Sequence, residues 1–395
     1  MLHKENFRNI TMGKVTYKFY TFLSFASVFL YIDPFYTGLG RSIQACFALA
    51  MFSFICLYRR SYLKVQTFRM INIFAYMLIL SILITSFLNK DLSLGGYPIS
   101  SYTLGILYAI ILLNTLFFVE FSIVNRKQNL MFRYYFNFLF VLCIIVDFLI
   151  FTIGSPVHAF YYVGDKFTIS YLHIFLIALY CVNNGLGKRK VDLKLICLIS
   201  ISFLVCRRVS CSTGQIGVIL LSILFLYNNA KKIIPNAYSM LLYVAIFSFI
   251  SFVFTQLLEI PFIHDFVVND LGKDETMTGR TEIYLVLWQA VQINPWFGWG
   301  QGNGMSFMGY YFSTPNAQNG FFNYVTDYGF VGVAALLLFL FYVCRITNVE
   351  KAYPLWALIF VFIALSSVEI TFNLQFIVYI ILLLPFVSLP KPKEN

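Results

Sequence analysis

The chain has 395 residues, of which 60% are hydrophobic, 19% aromatic and only 11% charged, with a formal net charge of +11. A soluble domain carries roughly 25% charged residues, so a water-soluble fold is excluded. The excess positive charge does not imply a nucleic-acid partner either, because the basic residues punctuate apolar runs instead of clustering on one solvated face.

A helix needs about 20 residues to cross the hydrocarbon layer. In chain order, apolar runs near that length lie at 19–36, 42–58, 70–88, 102–124, 134–153 and 169–185, followed by 195–206, 215–229, 237–257, 326–344, 355–370 and 372–389. They predict an all-α fold, a polytopic bundle of about 12 spans, with one long extracytoplasmic loop containing short interfacial helices. The organisation expected from them is residues 1–257 as N-terminal spans, 258–325 as the catalytic loop and 326–395 as C-terminal spans. Lys4, Arg8, Lys14 and Lys18 precede the first run without a small-residue cleavage site, which reads as a retained first span. The eight cysteines lack metal-site or disulfide spacing and are expected to serve as small core hydrophobes. Cys206 and Cys211 differ, since they flank a short polar turn on the expected outer side, where a disulfide is chemically permitted.

Lys and Arg favour cytoplasmic loops. The N-terminus, the loops after the second, fourth, sixth, eighth and tenth runs, and the C-terminal tail hold all the basic residues except Arg41, Lys90, Lys166, Arg207, Arg208, Lys273 and Arg280. Both termini are therefore expected in the cytoplasm. The loops on that side are short, without a glycine-rich phosphate loop, so nucleotide-driven chemistry there is not expected and no cofactor is predicted. The long segment 258–325 falls outside and holds Glu259, Asp265, Asp270, Asp274, Glu275, Arg280 and Glu282; a loop of that length in a compact protein is usually functional.

Within it, Thr278-Gly279-Arg280-Thr281-Glu282 leads into an apolar run from Ile283 to Ile293 that Asn294-Pro295 ends. This predicts a helix capped by Thr278, too short to span, lying along the membrane surface with Trp288 and Trp296 at headgroup level. Arg280 in its first turn is disfavoured by the helix dipole unless an anion sits beside it, and a lipid diphosphate is the obvious anion at a membrane surface. Gly298, Gly300, Gly302 and Gly304 follow; no strand precedes them, so they read as tight turning or close approach to a ligand rather than a dinucleotide fingerprint. Arg207 and Arg208 end a short apolar run and are either functional at the outer interface or snorkel to headgroups. Asp147, inside the fifth run, reads as a neutral hydrogen-bonded carboxyl. His158, His173 and His264 are scattered without ligand spacing, and no metal site is predicted.

These pieces, in order, resemble the O-antigen ligase and Wzy polymerase superfamily, bacterial membrane glycosyltransferases that act on undecaprenyl-diphosphate-linked glycans. The resemblance covers roughly residues 200–340 and rests on Gly279-Arg280, Asn294-Pro295-Trp296-Phe297-Gly298-Trp299-Gly300, Asn316-Ala317-Gln318-Asn319-Gly320 and Asp327-Tyr328-Gly329-Phe330-Val331-Gly332. It implies diphosphate-binding roles for Arg280 with Arg207 or Arg208, and contacts to the sugars from Asn316, Gln318, Asn319, Thr213 and Trp299. The sequence departs from the family pattern twice. Thr213 stands where a second arginine is usual, and Gln318 stands where a histidine is usual. Glutamine hydrogen-bonds but accepts no proton near neutral pH, so a repeat-unit polymerase is preferred over a ligase. Glu282 and Asp327 are the candidates for a general base. The expected partners are the undecaprenyl-diphosphate-linked oligosaccharide, membrane lipids and a chain-length regulator protein, at the bacterial inner membrane. Alternatives are a ligase transferring finished glycan to lipid A core or protein, and a non-enzymatic flippase. The flippase is disfavoured by the lack of an internal repeat.

Overall fold

The computed structural model describes residues 12–32, 39–58, 68–94, 97–98, 101–155, 160–185, 192–226, 234, 236–257, 280–312 and 317–387. Their regular structure is helical apart from a two-residue antiparallel ladder, Ser93–Leu94 with Tyr97–Pro98, and isolated bridges. In chain order the helices are α1 (Lys14–Phe29), α2 (Leu39–Tyr58), α3 (Arg69–Leu88), α4 (Ser101–Val124), α5 (Gln128–Thr152), α6 (Lys166–Asn183) and α7 (Leu193–Arg208). They continue with α8 (Ser212–Leu226), α9 (Ala237–Leu257), α10 (Arg280–Ile293), α11 (Asn303–Phe312), α12 (Gly320–Ile346), α13 (Val349–Leu365) and α14 (Leu374–Ile381). Every apolar run marked in the sequence overlaps a helix, but among the described residues six helices, α2 to α6 and α12, are long and apolar enough to cross a membrane. Three shorter apolar stretches are Ser212–Leu226 (α8), Ala237–Ile250 within α9 and Leu374–Phe386, which contains α14.

Polar caps set several of these boundaries. Asp165, Asp192, Asn319, Asn348 and Asn373 each accept a backbone N–H three residues on, opening α6, α7, α12, α13 and α14, which satisfies donors that a helix start otherwise leaves orphaned. Two caps move boundaries away from the sequence reading. Asn319 starts α12 at Gly320, before the expected 326, and α13 stops at Leu365, so Ser366 to Asn373 link α13 to α14 instead of extending a span.

The core is one apolar cluster running through the bundle. Helices α6 and α13 are buried on nearly all sides, and α6 packs against α5, α7, α8 and α13. Helices α2, α3, α5 and α8 instead present large side chains outward, including Leu49, Met77, Ile84, Phe148 and Ile219. An exposed apolar belt of that kind marks contact with lipid rather than water.

Inside the bundle a histidine meets a carboxyl group. His173 on α6 meets Asp147 on α5 through Nε2 at 3.0 Å, and its Nδ1 lies 3.2 Å from the Ser202 hydroxyl on α7. The carboxyl of Asp147 is hydrogen-bonded as the sequence suggested, although the histidine that holds it was read as isolated. Cys206 and Cys211 are both buried free thiols, so the disulfide considered for them is absent.

Candidate functional site

The two longest motifs of the segment are joined in space. Helix α12 is interrupted at Gly329, where φ is 63° and ψ is −171°. A regular helix would bond Phe330 N–H to Thr326 and Val331 N–H to Asp327. Here the loop after α10 takes all four groups. Phe330 N–H donates to the Pro295 carbonyl at 2.8 Å and Val331 N–H to Trp296 at 3.1 Å, while Thr326 and Asp327 carbonyls accept Trp299 N–H at 2.9 Å and Gly300 N–H at 2.7 Å. The four backbone groups released at the break are thus paired, as breaking a helix in an apolar setting requires. The exchange requires the two backbones to touch. A Cβ on Gly329 would lie 2.3 Å from the Trp296 carbonyl, and one on Gly298 would lie 2.6 Å from Gly329 N. The glycines thus serve close approach, as the sequence suggested, but the approaching group is the chain's own backbone.

Asp327 locks this joint. Its buried carboxylate accepts Gly304 N–H at 2.9 Å and Gly302 N–H at 3.3 Å, two donors at the start of α11, where the helix dipole favours an anion. The Trp299 ring stacks on Phe307 with centroids 4.1 Å apart, and its indole N–H donates to the Ala290 carbonyl at 3.2 Å. It covers a second small core of Ile283, Leu287, Ala290, Phe307, Met308, Ala317 and Phe322. Short α10 and α11 are thereby fixed to α12 rather than hanging as a loose loop. These helices and the loop between them expose Trp288, Trp296, Tyr310 and Tyr311, the residue types that settle at a membrane–water interface.

At the same end of the bundle, four helix ends converge. The turn between α7 and α8 is closed by Cys211 N–H to the Cys206 carbonyl at 2.9 Å. Gly214 brings α8 against α6, since a Cβ there would lie 2.4 Å from the Ser170 side chain. Gly217 meets Leu365 at the end of α13. Gly320 N–H, at the start of α12, donates to the Ser366 carbonyl at 2.8 Å.

The sequence-predicted residues distribute over this end as follows. Arg207 and Arg208 occupy the exposed last turn of α7, where their charge complements the helix dipole. Thr213 is half-buried one residue before the Gly214 contact. Gln318 is half-buried with a left-handed φ of 44°, a conformation uncommon for any residue but glycine and one that concentrates at functional sites. Asn319 is fully buried, and its side chain is committed to structure: Oδ1 caps Phe322 N–H at 3.1 Å and Nδ2 donates to the Ser248 carbonyl at 3.0 Å. Arg280 is the first residue of α10, which packs against α9 and α12. The side chains of Arg280 and Glu282, and the whole of Thr278 and Asn316, lie outside the described residues. Two residues that the sequence reading did not single out also stand here. Glu369, read as the end of a span, is half-buried in the α13–α14 link, and the hydroxyl of buried Tyr171 has no hydrogen-bond partner among the described residues. A carboxylate at the end of an apolar run was the available signal.

Residues 195–337 match the family model described as O-antigen ligase. The match runs from α7 into α12 and contains all ten residues singled out as candidates from the sequence, from Arg207 to Asp327. No curated protein and no solved structure matches the chain. This stretch is therefore similar to the domain of the O-antigen ligase superfamily.

Proposed function

We propose that the protein polymerises lipid-linked glycan: the anomeric carbon of a chain carried on undecaprenyl diphosphate is attacked by a hydroxyl of an incoming lipid-linked repeat unit. The observation that carries this reading is the family match over residues 195–337, the stretch that holds Arg207, Arg208, Arg280 and Gln318. In this reading the chain crosses the inner membrane about 12 times, with both termini cytoplasmic and the converging helix ends on the outer face. Departure of a diphosphate develops negative charge, and each well-placed donor stabilises such a transition state by about 3 to 4 kcal/mol. Arg280, with Arg207 or Arg208, supplies that stabilisation, while Gln318 orients the acceptor. A partner that sets chain length is expected at the same face.

The family description itself favours a second reading, transfer of finished glycan to lipid A core or protein. Surface glycan from a deletion strain separates the two. A missing polymerase leaves a single repeat unit attached, and a missing ligase leaves none. Normal long-chain glycan in the deletion strain would refute both.

Sidedness has its own test. In a cysteine-free background, Asp270→Cys and Tyr310→Cys should react with an impermeant thiol reagent applied to cells with a permeabilised outer envelope, whereas Lys190→Cys and Glu350→Cys should not. Reversed labelling would put the proposed site in the cytoplasm.

Gln318 is expected to contribute modestly. One neutral hydrogen bond is worth roughly 0.5 to 1.5 kcal/mol, so Gln318→Ala should shorten glycan chains without abolishing them and Gln318→His should keep measurable activity. Complete loss in Gln318→Ala at normal protein level would show that orientation is too small a role for this residue.

A further inference from the structure

Transfer to a sugar hydroxyl needs a group that takes its proton, and glutamine at 318 cannot do so near neutral pH. Resting on the transfer reading above, we propose that Glu369 is the general base. The Glu369 carboxylate receives the acceptor hydroxyl proton. The oxygen's electron pair then forms the new bond to the anomeric carbon, and the bond from that carbon to the diphosphate oxygen breaks, its pair leaving on the diphosphate.

The placement comes from the fold. Glu369 belongs to the α13–α14 link, and this link is stapled to the Gln318-Asn319-Gly320 step. Gly320 N–H donates to the Ser366 carbonyl at 2.8 Å. A Cβ on Gly320 would lie 3.0 Å from Thr371 N and 3.1 Å from the Glu369 carbonyl oxygen. The carboxylate thus enters the same end of the bundle as Gln318 from a different segment, far away in sequence. It is half-buried, and its Oε1 accepts the adjacent Ile370 N–H at 3.1 Å.

Two other carboxyl groups among the described residues, Asp165 and Asp327, have structural tasks. Asp165 accepts both the backbone N–H and the hydroxyl of Thr168 at 2.8 Å to open α6. Asp327 is occupied by Gly302 and Gly304 N–H groups within the α12 joint. The Tyr171 hydroxyl adds a second polar group at this end. Glu369 interacts electrostatically with the Tyr171 hydroxyl and the Cys211 thiol, and that hydroxyl is buried without a hydrogen-bond partner among the described residues. Leaving a buried hydroxyl unpaired costs free energy, and a sugar hydroxyl brought to Glu369 would supply the missing partner.

The test uses the full chain in membranes of the deletion strain, which hold native lipid-linked repeat units. Positioned acid–base groups contribute about 100-fold to 10,000-fold, so Glu369→Gln should lower the rate of chain extension by at least about 100-fold and remove the acid limb of its pH profile. Binding of undecaprenyl diphosphate and the thermal midpoint should stay at wild-type values. Adding Gln318→His to the Glu369→Gln variant should restore part of the rate, because an imidazole two residues from Gly320 returns a proton acceptor to the same end. Glu369→Asp should retain more rate than Glu369→Gln. A Glu369→Gln rate near wild type would overturn the assignment. So would a loss accompanied by weakened diphosphate binding or a lowered midpoint, which marks a structural role. Absence of chain extension by the wild-type chain is a different result: it removes the transfer reading itself, and the base with it.

Discussion

Arg280→Ala is expected to abolish long-chain glycan while the protein remains in the membrane at its normal level, and Arg280→Lys is expected to fail nearly as badly. Arg280 opens α10, where first-turn N–H groups and the positive end of the helix dipole disfavour a cation and favour an anion. An arginine kept there is best explained by an anion that both bind. Guanidinium presents a planar fork that can hold two diphosphate oxygens together, whereas the lysine ammonium is a point charge on a flexible stem. Loss of one such donor corresponds to about 3 to 4 kcal/mol, or two to three powers of ten in rate. The alternatives give other patterns. A solvated arginine would make both substitutions nearly silent, since surface changes usually fall within about 0.5 kcal/mol, and general attraction to headgroups would let lysine substitute well. The assay is glycan chain length after complementation of a deletion strain, with Arg207→Ala and Arg208→Ala alongside to identify which of that pair cooperates. Wild-type glycan from the Arg280→Ala strain would remove the diphosphate site and the main physical support for transfer chemistry.

The helices were legible in the sequence because hydropathy is a local property; the site was less so because it is assembled from contacts between distant segments. Each apolar run overlaps a helix, yet α12 begins at Gly320, before the run that marked it, and carries Asn323, Thr326 and Asp327 in its first turns. They are tolerated inside the fold because Thr326 donates to the Phe322 carbonyl and Asp327 is occupied by two N–H groups. Glu369 was hidden for the opposite reason: apolar neighbours on both sides let one carboxylate pass as the end of a span. The pairing of Asp147 with His173 joins two helices and leaves no mark in spacing. The glycines of the loop motif and the Asp-Tyr-Gly motif were each visible, but neither sequence says that the other is its partner. That relation fixes α10, and with it Arg280, to the bundle.

Gly329→Ala should therefore damage both stability and activity, and by more than any other single methyl group added to this loop system. Gly329 combines φ of 63° with ψ of −171°, a region essentially reserved for glycine, where strain costs about 1 to 3 kcal/mol. The added methyl would also sit 2.3 Å from the Trp296 carbonyl carbon and oxygen and 2.5 Å from Phe297 N. These are backbone atoms held by hydrogen bonds to the same helix, so they cannot rotate away as a side chain would. Overpacking adds about 1 to 3 kcal/mol more, and relief would require undocking the loop, which exposes the carbonyls of Thr326 and Asp327 that it satisfies. Gly302→Ala provides the contrast: φ there is +75°, but the nearest obstacle is Leu104 Cδ2 at 3.5 Å, an ordinary contact. Only the left-handed penalty of about 1 to 2 kcal/mol applies. Thermal unfolding of the purified variants in detergent should accordingly place Gly329→Ala well below Gly302→Ala, with Gly302→Ala closer to wild type. Gly329→Ala should also lose long-chain glycan even where folded protein persists, because α10 no longer presents its first turn in a fixed position. Equal midpoints for Gly329→Ala and wild type would mean that the loop does not hold the break in α12, and Arg280 would then need some other anchor.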